Sequence, residues 1–190
     1  MFIQTENTPN PNAIKFFPGL RVSPDQPIFF SDLLEVKGKS KLAELLFSIA
    51  NVKSVFFGSD FITITKQDEG NWQVLKPEIL MIIMDHFVAG FPVFEESNLP
   101  TDHADKYNTE NLSEIEKQII EIIETRVRPS VAMDGGDIVY KGFENGIVKL
   151  ELHGSCAGCP SSSITLKNGI ESMLKHFVPE VEAVEAVEED

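Results

Sequence analysis

Gly154-Ser155-Cys156-Ala157-Gly158-Cys159-Pro160-Ser161-Ser162 holds both cysteines of this 190-residue chain. A strand is expected before it, over Ile147 to His153, and a helix after it, from about Ser161 to Phe177, with Pro179 as its stop. The loop therefore joins a strand to a helix N-terminus. Its C-x-x-C spacing brings two soft sulfurs close enough to grip one metal centre. Tetrahedral zinc and iron–sulfur clusters take about four protein ligands, and one chain can supply half of them. Either two copies share one site, or the pair does redox chemistry.

The local residues suit bound thiolates. The helix dipole and unpaired N–H groups favour negative charge and are expected to lower the thiol pKa. Pro160 fits a first helical position, where a missing N–H costs nothing. Gly158 leaves room for backbone to approach an inorganic sulfide, and Ser161, Ser162 and Ser163 add small donors. A thioredoxin-like redox pair also precedes a helix, but that fold needs a longer βαβ frame than the short stretch after Cys159. Zinc bridging two copies would use the same ligands, and spacing alone does not separate it from a cluster. His153 ends an apolar strand and reads as packed or solvent-facing rather than ligating, and His86, His103 and His176 are scattered. Gly135-Gly136 has no following Lys-Ser/Thr and precedes a strand, so it is a turn and not a phosphate loop. No Ser/His/Asp or paired-carboxylate arrangement is present.

Upstream, Ile138 to Phe143 reads as the strand that pairs with Ile147 to His153 through Glu144-Asn145-Gly146, and Met133 to Asp137 as a turn. Ser113 and Glu116 form a capping-box pattern ahead of Ile115, Ile119, Ile122, Ile123 and Val127, a helix expected to end at Arg128-Pro129. After Pro179, Val181 to Val187 begins as a strand and dissolves into Glu188-Glu189-Asp190.

The first ninety residues have a separate pattern. Phe2 to Glu6 and Ala13 to Phe17 are strand-like runs around the turn-rich Asn7 to Asn12, with Ile28 to Phe30 a third. Ser40 caps a helix carrying Leu42, Leu45, Leu46 and Ile49 on one face. Val52 to Phe57 and Phe61 to Thr65 read as a hairpin, the second strand with one face buried. A helix is expected from about Lys76 to Val88. Polar, Pro-containing residues from Glu95 to Asp102 mark a linker. The expected fold is α+β: two small mixed domains, 1–90 and 112–190, joined by an acidic linker over 91–111.

Composition narrows the partners. The net charge of −14 argues against nucleic acid and anionic membranes. No apolar run reaches the length of about eighteen residues that a membrane span needs. The N-terminus lacks the basic start and apolar core of a signal peptide, and two closely spaced cysteines are a poor staple for a secreted domain. A reducing interior, most simply a bacterial cytoplasm, is expected.

Leu152 through Glu171, with Arg128-Pro129 and Asp134-Gly135-Gly136-Asp137 upstream, closely resembles the C-terminal domain of NifU-like (Nfu-type) iron–sulfur scaffold proteins. Phe2 to Glu6, Thr8 to Pro11, Lys15-Phe16 and Pro18-Gly19 resemble the separate N-terminal domain of bacterial and mitochondrial members. The resemblance implies a carrier and not an enzyme. It would hold a [4Fe–4S] cluster between two subunits through Cys156 and Cys159 of each. It would be a homodimer when loaded, would receive clusters from upstream assembly proteins and would deliver them to apo iron–sulfur clients. The mitochondrial matrix is the compartment implied for a processed eukaryotic member. The N-terminal domain would assist partner contact.

Overall fold

The computed structural model describes residues 2–23, 26–95, 112–157 and 160–187, excluding the side chains of 160–163. The chain divides into two units, Met1–Pro100 and Thr101–Asp190.

In the first unit, β1 (Gln4–Asn7), β2 (Ala13–Phe17) and β3 (Ile28–Phe30) lead to α1 (Leu33–Val36) and α2 (Lys41–Phe47). There follow β4 (Val52–Phe57), β5 (Ile62–Lys66) and α3 (Trp72–Val88). The five strands form an antiparallel sheet of order β1-β2-β5-β4-β3. Alternate residues Ile14, Phe16, Val55, Phe57, Ile62 and Ile64 enter one core with Leu42 and Leu46 of α2 and Leu75, Ile79 and Ile83 of α3.

Three boundaries differ from the sequence reading. The expected one-sided burial of β5 gives way to burial of all five residues. The strand lies mid-sheet, and Thr63 sits between Lys15 of β2 and Phe56 of β4. The Phe61 ring packs on Phe17 and Phe56, with the Lys15 ammonium over Phe17 and Phe61. α3 starts at Trp72 and not near Lys76, because the Asn71 side chain accepts from the Gln73 N–H at 2.9 Å and nucleates the turn early. Pro77 then lies inside the helix.

The third difference concerns the linker, expected from residue 91. Val93 and Phe94 instead enter the first core, and Phe94 packs edge-on to Phe57. Ser40 caps α2 through the Ala43 N–H, and its hydroxyl also donates to the Val93 carbonyl at 2.6 Å. Burying an apolar side chain of this size contributes about 2 kcal/mol, enough to hold five residues that are not wholly polar. The rest of the expected linker, 96–111, lies outside the described residues.

The second unit opens with α4 (Glu114–Ile122), a π-helical turn (Ile123–Val127) and α5 (Arg128–Met133) in one continuous run. The Ser113–Glu116 capping box forms in both directions. The helix does not end at Arg128-Pro129. Proline inside a regular helix collides with the carbonyl four residues back, here that of Thr125. The widened π turn takes that carbonyl out of the ring's path, and the run continues to Met133.

β6 (Gly136–Glu144) and β7 (Ile147–Gly154) form the expected hairpin. Asn145 and Gly146 take positive φ of 51° and 79°, the conformation a two-residue hairpin turn requires. α6 (Pro160–Phe177) crosses back, and β8 (Ala183–Val187) pairs parallel to β7, so the acidic C-terminal stretch is sheet as far as Val187. Ile119, Ile123, Val127 and Val131 pack with Ile138, Val148 and Leu150 of the sheet and with Ile170 and Leu174 of α6. The architecture is α+β, as expected.

Candidate functional site

The cysteine loop starts where β7 ends. Gly154 takes φ 63°, which turns the chain out of the strand. The Ser155 N–H then donates to the Gly135 carbonyl at 3.2 Å, and the Ser155 hydroxyl donates to the Asp134 carbonyl at 2.6 Å. The N–H groups of Cys156 and Ala157 turn back to the carbonyls of His153 and Gly154. The loop is thus tied to the Asp134-Gly135-Gly136 turn through backbone carbonyls.

That turn forms the seat of the first sulfur. Cys156 is 6% exposed, and a Cβ built on Gly136 would lie 2.5 Å from its Sγ and 2.7 Å from the His153 carbonyl oxygen. No real side chain fits there. The reading of Gly135-Gly136 as a turn holds, but position 136 also makes room for sulfur, which the sequence did not disclose.

The expected lowering of the Cys156 pKa does not occur. Burial pushes this thiol up to about 12, the neighbouring carboxylates Asp134 and Asp137 push the same way, and the Ser155 hydroxyl opposes them weakly. Desolvation outweighs any help from the helix end, so Cys156 rests as a neutral thiol. Cys159, the second expected ligand, lies outside the described residues, as do the side chains of Ser161, Ser162 and Ser163. Among the described residues no group of three or more His, Cys, Asp and Glu is placed to hold a metal ion.

A prediction follows for the metal-free protein. A Cys159→Ser chain should react with iodoacetamide at pH 8 at least about a hundredfold more slowly than glutathione, because both burial and the raised pKa suppress the thiolate. Denaturation with urea should restore the ordinary rate. Rapid alkylation of the folded chain would show that the Sγ is not held inward.

Behind the turn lies an ion cluster that motif reading alone did not connect. Arg128 Nε and Nη2 each donate to Asp137 at 2.7 Å, and Nη1 donates to Glu124 at 2.6 Å. Asp137 is 4% exposed and also accepts from the Ile138 N–H. The side-chain hydrogen bonds from Asp137 chiefly, opposed by burial, raise the guanidinium pKa still further above its ordinary value. The fork fastens α5 to the first residues of β6, beside Gly136. Its trace in the sequence was two fragments, Arg128-Pro129 and Asp134 to Asp137, noted separately.

His153 lies along β7, with Nε2 2.8 Å from Glu151 Oε1, and Lys141 also pairs with Glu151. Burial raises the Glu151 pKa, but the hydrogen bonds from Lys141 and His153 outweigh it and hold the carboxyl below its ordinary range. His153 is therefore engaged with a carboxylate on the sheet, in keeping with its reading as a packed side chain.

A strand–loop–helix cysteine site on a small α+β unit, preceded by a second α+β unit, defines a class. Residues 3–90 match the family model described as Scaffold protein Nfu/NifU N terminal, and residues 119–185 match the NifU-like domain. The chain belongs to the Nfu/NifU scaffold family. It is 51% identical over 191 residues to the human protein named NFU1 iron-sulfur cluster scaffold homolog, mitochondrial, covering all of this chain and 73% of that one. Proteins of the same name from Drosophila virilis and Drosophila ananassae are 48% and 49% identical, over 100% and 98% of this chain. The chain spans 63% and 64% of the length of those two relatives.

Proposed function

We propose that the chain carries a [4Fe–4S] cluster between two copies, held by Cys156 and Cys159 of each, and passes it to apo iron–sulfur proteins. The observation that carries this reading is the sulfur seat at Gly136 in a chain with only two cysteines. One copy offers two thiolates, and a cluster takes about four. The names of the relatives support the cargo as iron–sulfur. A disulfide-exchange role fits less well, since such enzymes work through an exposed thiolate of low pKa, whereas Cys156 is buried and neutral. Structural zinc between two copies would use the same donors and is separated by experiment.

In this reading residues 112–190 hold the cargo, residues 1–90 contact partners, and 91–111 contain the connection. Loading requires Cys156 to lose its proton and turn toward the cluster, so it releases protons to solvent. Delivery proceeds as client thiolates replace one cysteine at a time, the logic of thiol exchange. The bridge disappears with the cluster, so release loosens the pair. The relatives' names favour a mitochondrial matrix setting; a bacterial cytoplasm would offer similarly reducing conditions.

Anaerobic reconstitution of the full chain with iron and sulfide, followed by sizing, tests the reading. The expected product is a brown dimer with about four irons per pair. A colourless protein that takes up zinc instead would replace the cluster with a zinc bridge.

A further inference from the structure

α3 is apolar on two sides. Leu75, Ile79, Ile83 and His86 are buried in the first core. Opposite them, Val74, Pro77, Met81, Met84 and Val88 recur three and four residues apart, the spacing of a helix-pairing seam, and Phe91 continues the series past the helix end. This second stripe is in solvent: exposure runs from 39% at Met84 to 54% at Met81, 66% at Val74 and 68% at Val88. A surface helix ordinarily shows polar residues there. A continuous outward seam of valine, proline and methionine is the kind of surface that marks an interaction site, and methionine lets such a face adapt to its partner.

The flanks select the occupant. On one side the stripe is edged by Glu78 and Asp85, one turn and about two turns along from Val74, and α3 carries no Lys or Arg on its outward side. An anionic bilayer would be repelled by this edge. A second copy would bring the same acidic edge of a chain with net charge −14 against itself. A helix with an apolar stripe and a basic flank satisfies both features.

We propose that the outward face of α3 docks an amphipathic helix with a basic flank, supplied by a partner protein. The proposal does not rest on the cluster reading, and its test uses the metal-free full chain. The probe is a fluorescein-labelled Leu/Lys amphipathic peptide about as long as α3, compared with a scrambled peptide of equal composition and a Leu/Glu peptide of the same pattern. Fluorescence anisotropy should show the Leu/Lys peptide binding at least about tenfold tighter than either control, a difference of about 1.4 kcal/mol.

Met81→Ser with Val88→Ser should weaken that binding about tenfold while leaving circular dichroism and melting near those of the unsubstituted chain, as expected for exposed positions. Glu78→Lys with Asp85→Lys should shift preference toward the Leu/Glu peptide. Equal binding of the scrambled peptide, or unchanged binding after the Met81 and Val88 substitutions, overturns the proposal. Self-association of the metal-free chain that the same two substitutions abolish would also overturn it, by assigning the face to a second copy.

Discussion

Serine in place of Cys156 should leave the reconstituted protein nearly colourless, with iron falling from about four per pair to below about one. One substitution removes a donor from each chain, hence two of the four proposed cluster ligands. A hydroxyl is a hard, weakly acidic donor and does not replace a thiolate on iron. The fold should survive. Serine is smaller than cysteine, and the cost is that of a buried hydroxyl short of partners, about 1–3 kcal/mol. Melting of the metal-free variant and its iron content after reconstitution separate the two effects. A Cys156→Ser chain that formed a stable dimer with a full complement of iron would refute the four-thiolate arrangement. Ser155→Ala is the matched comparison: it loses the tie to the Asp134 carbonyl but keeps both sulfurs, so iron should be retained.

Arg128→Ala should have the largest effect on the fold itself. It leaves Asp137, 4% exposed, without the two donors that compensate its charge, and leaves Glu124 without its partner. Removing one member of a buried pair costs about 3–5 kcal/mol, far more than the pair's net worth against an apolar replacement. In a unit of this size that corresponds to roughly 10–20 °C in melting temperature. Lysine at 128 should recover only part of the loss, because an ammonium does not reproduce the two parallel bonds. The chain has a single tryptophan, Trp72, in the first unit, so its fluorescence transition should be unaffected while the second unit melts early. A variant whose second unit melted like the unsubstituted protein would show that Asp137 finds other donors.

Local rules made most of the elements legible. Ser113 and Glu116 signalled a helix start by chemistry confined to one turn, and both bonds form. Asn145-Gly146 signalled a tight hairpin because few residues accept positive φ at two successive positions. The strand–loop–helix setting of Cys156 was legible for the same reason. Features set by distant residues were not. Burial of Thr63 depends on the strands either side of it, and capture of Phe94 depends on a gap beside Phe57. The inward thiol depends on a missing side chain twenty residues earlier, at Gly136. The helix dipole pointed toward an acidic thiol, but it is a weak effect beside desolvation, and the rule that weighed it knew nothing of burial.

The π turn at Ile123–Val127 also bears on tolerance to deletion. The buried residues Ile119, Ile123, Val127 and Val131 are spaced strictly by four. In a uniform α-helix that spacing rotates each successive side chain by about 40°, and the seam would wind off the core within three steps. The wide turn absorbs this drift, so the helix enters and leaves it with the same face inward. Removing a single residue there, such as Thr125, would tighten the backbone into regular geometry yet swing everything downstream by about 100°. Val131 would leave the core, and Arg128 would point away from Asp137. The apparent irregularity acts as a phase adjuster, and the cysteine seat some distance beyond it is aimed by that one added residue.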